Sequence, residues 1–398
     1  MSYHARVLLF RLTLFAILGL AQGYLFIRLR GAVRRTDWSA GLKATLVWLT
    51  LIVIAHLYLL NAYIVVCKLT WVDPPLLAQL GLFYPVAIWN FGSLFSALLL
   101  AVLRSLGHIR RAVRRLQRHI FGLAAPIPID PERRRLLQAG VGTLASAPLV
   151  FSAYGAASAS MGPEVGVISL PFGRSLRLVQ LTDIHAGLYM TRQHMRRYVN
   201  LVNRQQPDLV ALTGDFISNS MTFLDSCVEE MSRLRSRYGV FVILGNHDHW
   251  YGDPAEIRAR FRQRGFIVLH NSHRVVETPS GPFAVAGIDD LQAGEPDLDR
   301  ALRGASSHPT ILLSHHPEVF PEAVERKIPL TLAGHWHGGQ VTLRVLGLPI
   351  SPAHLLSRYP QGLYRRNGSH LYVSRGIGTT AVPIRLNAPP EVAVFQLT

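Results

Sequence analysis

Cysteine is nearly absent from these 398 residues, with Cys67 and Cys227 as the only two. One sits in an apolar run and the other in a stretch of helical character, so neither a disulfide framework nor a cysteine-based zinc site is supported. Acidic residues are also scarce, 24 Asp and Glu against 41 Lys and Arg, for a net charge of +17. The deficit is local: residues 1–135 carry seventeen Lys and Arg against four acids, residues 136–167 only Glu164, and residues 168–398 a net +5. A basic chain raises nucleic-acid binding. Here, however, the arginine clusters lie between long apolar runs, where the positive-inside rule for membrane loops is the simpler account. No internal repeat is evident.

Three runs, Leu8 to Ile27, Leu42 to Val66 and Leu76 to Leu103, match the roughly 20 apolar residues that a helix needs to cross the hydrocarbon core. Arg11 can snorkel to the interface, and tryptophans and tyrosines such as Trp48, Trp71 and Trp89 are available as interfacial anchors. The loop from Arg28 to Lys43 is rich in arginine, whereas that from Lys68 to Pro75 holds one Lys and one Asp. The first loop and the basic stretch from Arg104 to Arg118 are therefore expected on the cytoplasmic side, with the N-terminus outside. Residues 1–120 are read as a membrane anchor that faces a lipid bilayer.

Residues 121–167 hold Arg133-Arg134-Arg135 and a Gly/Ala/Ser-rich run to Ala159. This resembles a twin-arginine export signal placed unusually late, or else a fourth transmembrane helix with a basic flank. Both readings put residues 168–398 outside the cytoplasm. Ala157-Ser158-Ala159 also fits a cleavage site, although retention is the expectation.

Residues 168–398 change character, with short apolar runs alternating with polar helical stretches, the pattern of an α/β domain. Strands are expected at Leu176 to Leu181, Leu209 to Thr213, Val240 to Leu244, Ile267 to Leu269, Phe283 to Gly287, Thr310 to Ser314, Leu330 to Ala333, Leu371 to Ser374 and Val392 to Gln396. Several end at a potential metal ligand, and in open α/β sheets the carboxyl ends of strands present ligand-handling loops to one crevice.

Asp183-Ile184-His185 can aim a carboxylate and an imidazole at one ion while the backbone is extended; by itself such a triplet is more often loop chemistry. Asp215, after Gly214, has two oxygens to share between cations, or simply marks a turn. Gly245-Asn246-His247-Asp248 offers an amide oxygen as neutral ligand and, in His247, a general acid for the leaving group; the plain alternative is a capping Asn beside an exposed His. His335 and His337, among Gly334, Gly338 and Gly339, can face one ion or two, if they are not fortuitous surface histidines. Of His315 and His316 only one can face the site; His315 is chosen, and the reverse order stays open. Carboxylate, amide and imidazole donors suit Mn²⁺, Fe or Zn²⁺.

In this order, D-I-H, G-D, G-N-H-D, H-H-P and G-H-W-H resemble the signature of calcineurin-like metallophosphoesterases, over nearly all of residues 175–398. The resemblance implies a four-layer αββα sandwich behind the all-α transmembrane region. It implies two divalent metal ions, with Mn²⁺ first: Asp183, His185, Asp215 and His337 around one, and Asp215, Asn246, His315 and His335 around the other. His247 would contact phosphate and act as acid, and a metal-bridging hydroxide would attack. Gly338-Gly339-Gln340 and the tail from Gly362 to Glu391 further resemble an exported or membrane-attached bacterial branch. Arg375 and Arg385 are either phosphate contacts or members of structural ion pairs.

The expectation is a phosphomonoesterase or phosphodiesterase at the outer face of a bacterial inner membrane, with a lipid-linked or cell-envelope phosphate as the sharper substrate guess. The rivals are a noncatalytic receptor or scaffold stabilised by metal, and a nuclease, for which the mild charge of residues 168–398 gives little support.

Overall fold

A computed structural model describes residues 3–66, 70–122, 130–305 and 307–398. Cys67 and Lys68 lie outside the described residues. The chain divides into two compact units, Met1–Leu69 with Leu80–Tyr154, and Thr70–Gln79 with Gly155–Thr398.

In the first unit the apolar runs form α1 (Tyr3–Val33), α2 (Ala40–Val66) and α3 (Tyr84–Phe121). A short helix at Leu76–Ala78 and a π-helical turn at Gln79–Phe83 lead into α3, making a rod of 46 residues whose far end carries Arg104 to Arg118. Helix is forced here, because in hydrocarbon each backbone N–H and C=O must find its partner within the segment. Among the described residues, three stretches are long and apolar enough to cross a membrane: Leu12–Val33, Ala40–Val65 and Leu76–Phe121. Between them the packing uses a few polar contacts. The Gln22 amide donates to Asn90 Oδ1 at 3.2 Å, and the Tyr58 hydroxyl to the Phe15 carbonyl at 3.1 Å. Each such bond contributes about 0.6–2 kcal/mol between helices in lipid. The arginine-led, Gly/Ala/Ser-rich segment is α4 (Pro131–Ser160), a continuous helix of 30 residues.

The second unit is built from β1 (Glu164–Leu170), β2 (Leu176–Leu181), β3 (Leu209–Thr213), β4 (Val240–Ile243), β5 (Ile267–Val268), β6 (Ser272–Val276), β7 (Phe283–Gly287), β8 (Thr310–Leu313), β9 (Leu330–Ala333), β10 (Leu343–Val345), β11 (Leu348–Ile350), β12 (Gly362–Arg366), β13 (Ser369–Val373) and β14 (Glu391–Leu397). One mixed sheet runs β1-β14-β2-β3-β4-β5 and a second β12-β13-β9-β8-β7-β6, while β10 and β11 pair only with each other. Strand alternation divides each sheet between two cores. Leu178, Ala211, Phe241 and Ile243 of the first sheet meet Phe283, Ile311, Leu313 and Leu332 of the second. On the outer face of the first sheet, Val179, Leu181, Val210 and Val242 pack on Met195, Val199, Cys227 and Phe261 from helices Arg192–Arg204, Leu224–Met231 and Pro254–Gln263. On the outer face of the second, Ala286, Leu312 and Val373 pack on Ala301, Phe320 and Ala323. The layers are therefore helix, sheet, sheet, helix, the four-layer sandwich expected above.

All nine expected strands are present. The strands absent from the expectation, β1, β6, β12 and the β10–β11 pair, are sheet edges or stand apart from both sheets, and their half-exposed faces dilute the apolar signal.

Two segments from near the membrane helices belong to this unit. Asp73 accepts from the backbone N–H of Arg192 at 2.7 Å, and its Oδ2 lies 3.0 Å from Arg192 Nε. The Gly155 carbonyl, near the end of α4, accepts from the Arg385 N–H at 2.9 Å.

Candidate metal centre

Strands β2, β3, β4, β8 and β9 end at Asp183, Asp215, Asn246, His315 and His335, so both sheets deliver polar side chains to one place. Asp183, His185, Asp215, Asn246, His315 and His337 are buried, and His335 is half-buried. Five of these residues have left-handed backbone: φ is 52° at Asp183, 49° at His185, 57° at Asp215, 72° at His335 and 50° at His337. That region is sparsely populated by non-glycine residues, and strain of this sort concentrates at functional sites. Glycine makes room for it. Gly214, at φ 93°, has no space for a side chain, since a Cβ there would lie 2.7 Å from Gly245 N and 2.8 Å from His315 Nδ1. A Cβ on Gly334 would run into the Asp183 carboxylate and the Thr182 hydroxyl.

The donors fall into two groups joined by Asp215. In the first, Nε2 of His185 and Nε2 of His337 face each other at 3.1 Å, with Asp183 Oδ1 3.2 Å from His337 Nε2. Asp215 Oδ2 lies 3.5 Å from His185 Nε2 on this side and 3.3 Å from His315 Nε2 on the other. There His335 Nδ1 is 2.9 Å from the Asn246 amide oxygen. His315 has its Nδ1 against the Thr213 carbonyl at 2.8 Å, which turns Nε2 toward the carboxylates, yet that buried Nε2 makes no hydrogen bond. His316 stands beside them, its Nε2 3.2 Å from Asp290 Oδ2 and its ring 3.8 Å from that of His335, and it forms with His315 and His335 a further group of donors close enough to share an ion.

Electrostatics prepare the site for cations. Burial opposes ionisation of Asp183 and Asp215, but His337 beside the first and His315 beside the second hold both carboxyls below the ordinary range. Burial, reinforced by His316 and His315, pushes His335 down to about 3, and burial with His247 likewise depresses His185. Both imidazoles are thus neutral at physiological pH, the form that binds metal. Buried lone pairs converging from carboxylates and neutral imidazoles are what a divalent cation of the Mn, Fe or Zn type requires. The donor set therefore fits.

His247 stands at the edge of this cluster, its ring centroid 4.6 Å from that of His185. Its Nδ1 lies 2.7 Å from the Ser218 carbonyl, so Nδ1 carries a proton and Nε2, 3.4 Å from the Thr380 hydroxyl, is the nitrogen left to face a substrate. Trp250 and Tyr251 flank it with ring centroids at 5.4 Å and 5.3 Å.

Every residue singled out for the site is thus brought to it, and the structure adds supports that the motifs did not assign. Asp248 accepts from the backbone N–H groups of Asp215, Phe216 and Gly245, each at 2.9 Å, and so fixes the loop that carries the shared carboxylate. Burial together with Asp215 pushes its own pKa up to about 7. Its place as the last residue of G-N-H-D was the available signal. Arg375 pairs with Glu164 at 2.8 Å and Glu391 at 3.4 Å, a structural ion pair between strands. Arg385 is fully buried and forms neither an ion pair nor a surface for phosphate; its guanidinium donates to the carbonyls of Arg375, Gly378 and Ala388.

Comparison with known proteins agrees with this geometry. The calcineurin-like phosphoesterase family profile matches residues 176–339. The chain is 33% identical over 225 residues to the uncharacterized metallophosphoesterase YkuE of Bacillus subtilis, covering 56% of this chain and 78% of that protein. It is 32% identical over 269 residues to a zebrafish transmembrane protein with metallophosphoesterase domain, covering 62% of this chain and 60% of the relative. Phosphodiesterase YaeI of Escherichia coli is 30% identical over 224 residues, or 56% of this chain and 82% of that one.

Proposed function

The chain belongs to the calcineurin-like metallophosphoesterase family and is a phosphoric ester hydrolase, and from that premise we propose a binuclear enzyme with Asp215 as the ligand common to both cations. The observation that carries this reading is the position of Asp215 Oδ2, between His185 of one donor group and His315 of the other. When bound, paired divalent cations supply Lewis-acid stabilisation of phosphoryl charge and a source of nucleophilic oxygen near neutral pH. The protein's own groups do the rest. The His247 N–H donates to Asp215 Oδ1 at 2.8 Å and ties the acid's backbone to the shared carboxylate. With Nδ1 held by Ser218, His247 presents Nε2 to the leaving oxygen as the general acid of this reading.

The test is hydrolysis of p-nitrophenyl phosphate and bis-p-nitrophenyl phosphate by the purified full chain. Chelation should abolish turnover and Mn²⁺ restore it, while His247→Ala should lower kcat by roughly 10²–10⁴-fold, as expected for loss of a general acid. Equal rates for wild type and His247→Ala would remove His247 from the chemistry.

We also propose a multi-pass protein of the bacterial inner membrane type with its catalytic domain on the non-cytoplasmic face. Thr70–Gln79, between the second and third of these helices in sequence, groups with that domain in one compact unit, which supports reading both as on one side. On this reading the third crossing leaves that side, and among the described residues α4 is the long helix available between it and the domain for the return. At 30 residues, about 45 Å of helix, α4 is long enough. This supports a fourth crossing over a processed export signal, and the arginine-rich loops put the shared side outside. Protease added to intact spheroplasts should therefore digest the catalytic domain; complete protection would reverse the orientation. Tethering beside the bilayer favours a lipid-linked or cell-envelope phosphate as substrate.

A further inference from the structure

Among the described residues beyond 168, nine large apolar side chains are exposed, and seven fall within residues 343–356. The other two are Trp250 and Tyr251, the rings beside His247. Every residue of β10 and β11 is exposed, so this hairpin has no face turned to a core. Leu346 at its tip is 98% exposed, and Leu355 and Leu356 of the short helix Pro352–Leu356 are 78% and 75% exposed. A lone two-stranded hairpin is marginal in water, and so concentrated an aliphatic surface marks a place where something else is bound.

The projection is rooted on the metal loop at both ends. At one end the Thr342 hydroxyl donates to the Gly338 carbonyl at 2.9 Å, next to His337. At the other, the Ser357 hydroxyl and the Trp336 indole N–H, between the two histidines of G-H-W-H, both donate to Glu318 Oε1, at 2.8 Å and 3.0 Å. The projection is therefore continuous with the metal loop, while its tip stands clear of the site residues.

Charge selects the occupant. From Arg326 to Pro390 the sequence has eight Lys and Arg and no Asp or Glu, and Arg344, Arg358, Arg365 and Arg366 are exposed. A second copy would set these arginines against their equivalents. An anionic leaflet instead offers hydrocarbon to the leucines and headgroup phosphates to the arginines, and the chain's own transmembrane helices keep a bilayer within reach. We propose that residues 343–358 insert into the interfacial layer of a bilayer bearing anionic headgroups. The phosphate ester delivered to the site is then carried by an amphiphile of that leaflet; this second part rests on the phosphoesterase reading above.

The experiment uses the full chain in nanodiscs of phosphatidylethanolamine doped with phosphatidylglycerol. An environment-sensitive fluorophore is placed at Leu346→Cys or, as a control, at the exposed Glu277→Cys, both in a Cys67→Ser background. The probe at 346 should be quenched by doxyl-labelled lipid and shielded from iodide, and the probe at 277 should show the reverse. Iodide quenching at 346 equal to the control, or shielding that accompanies crosslinking to a second copy, overturns the insertion. In parallel, Leu346→Asp with Leu355→Asp should lower hydrolysis of nanodisc-embedded hexadecyl p-nitrophenyl phosphate about tenfold or more, as expected when two leucines lose their burial, and leave soluble p-nitrophenyl phosphate within roughly twofold. Equal losses on both esters overturn the substrate class. A wild type inert toward both esters refutes the phosphoesterase reading, and the quenching measurement still decides the insertion.

Discussion

Under the binuclear centre proposed above, replacing Asp215 by Asn should lower hydrolysis of bis-p-nitrophenyl phosphate by about 10³-fold or more, because the several kcal/mol that two cations would supply require both to be held. Asn matches Asp in shape but offers one neutral oxygen where the carboxylate offers two charged ones. In the native site Oδ1 accepts the His247 N–H and Oδ2 lies between His185 and His315. The substitution therefore weakens both donor groups at once, whereas loss of His337 touches only the group of Asp183 and His185. Metal analysis separates these cases: Asp215→Asn should retain less metal than His337→Ala. An Asp215→Asn protein with full metal content and more than about a tenth of wild-type turnover would show that the two groups are not coupled through this residue.

The chemistry of this centre was legible because each contribution sits in a short contiguous string at the end of an apolar strand. Asp183 follows β2, Asp215 follows β3 and His335 follows β9. Singly, each string also reads as a turn or loop; it was their order along the chain, each after a strand, that nominated all three. What local signal could not convey was how the rings turn. The His315 ring is turned by the Thr213 carbonyl, 102 residues away, and the His316 ring by Asp290, while both histidines stay within reach of His335. The left-handed backbone at five of the clustered residues also has no signature beyond neighbouring glycines, since Asp and His tolerate it without announcing it. The same reason hid the association of Asp73 with Arg192, a contact across 119 residues between two side chains that are ordinary on any surface. Edge strands were missed for a different cause: β6, Ser-His-Arg-Val-Val, is polar where it meets solvent and reads as loop. The hairpin at β10 and β11 contains the opposite conflict, aliphatic residues in a segment that buries none of them.

Arg385 yields the second large effect, on stability. Its Nη2 donates to the carbonyls of Gly378 at 2.5 Å and Arg375 at 2.8 Å, its Nη1 to Ala388 at 2.8 Å, and its Nε to Gly378 at 3.0 Å. Burial pushes its pKa down to about 10, so the guanidinium still carries its proton at neutral pH. The loops it binds also approach the ligands: the Gly378 N–H donates to the Asp183 carbonyl at 2.7 Å, and Nη2 lies 3.4 Å from His337 Nδ1. Arg385→Met fills much of the volume but leaves those carbonyls without their donor, at a cost of about 3–5 kcal/mol. For a domain of this size that lowers the Tm of the full chain by about 10 °C or more. Arg385→Lys should recover little, because an ammonium cannot fan out over three carbonyls held in different directions. A phosphate-binding arginine would behave otherwise, raising KM and leaving the Tm in place. If Arg385→Met unfolds within about 2 °C of wild type and shows only a raised KM, the carbonyl clamp is not what this residue provides.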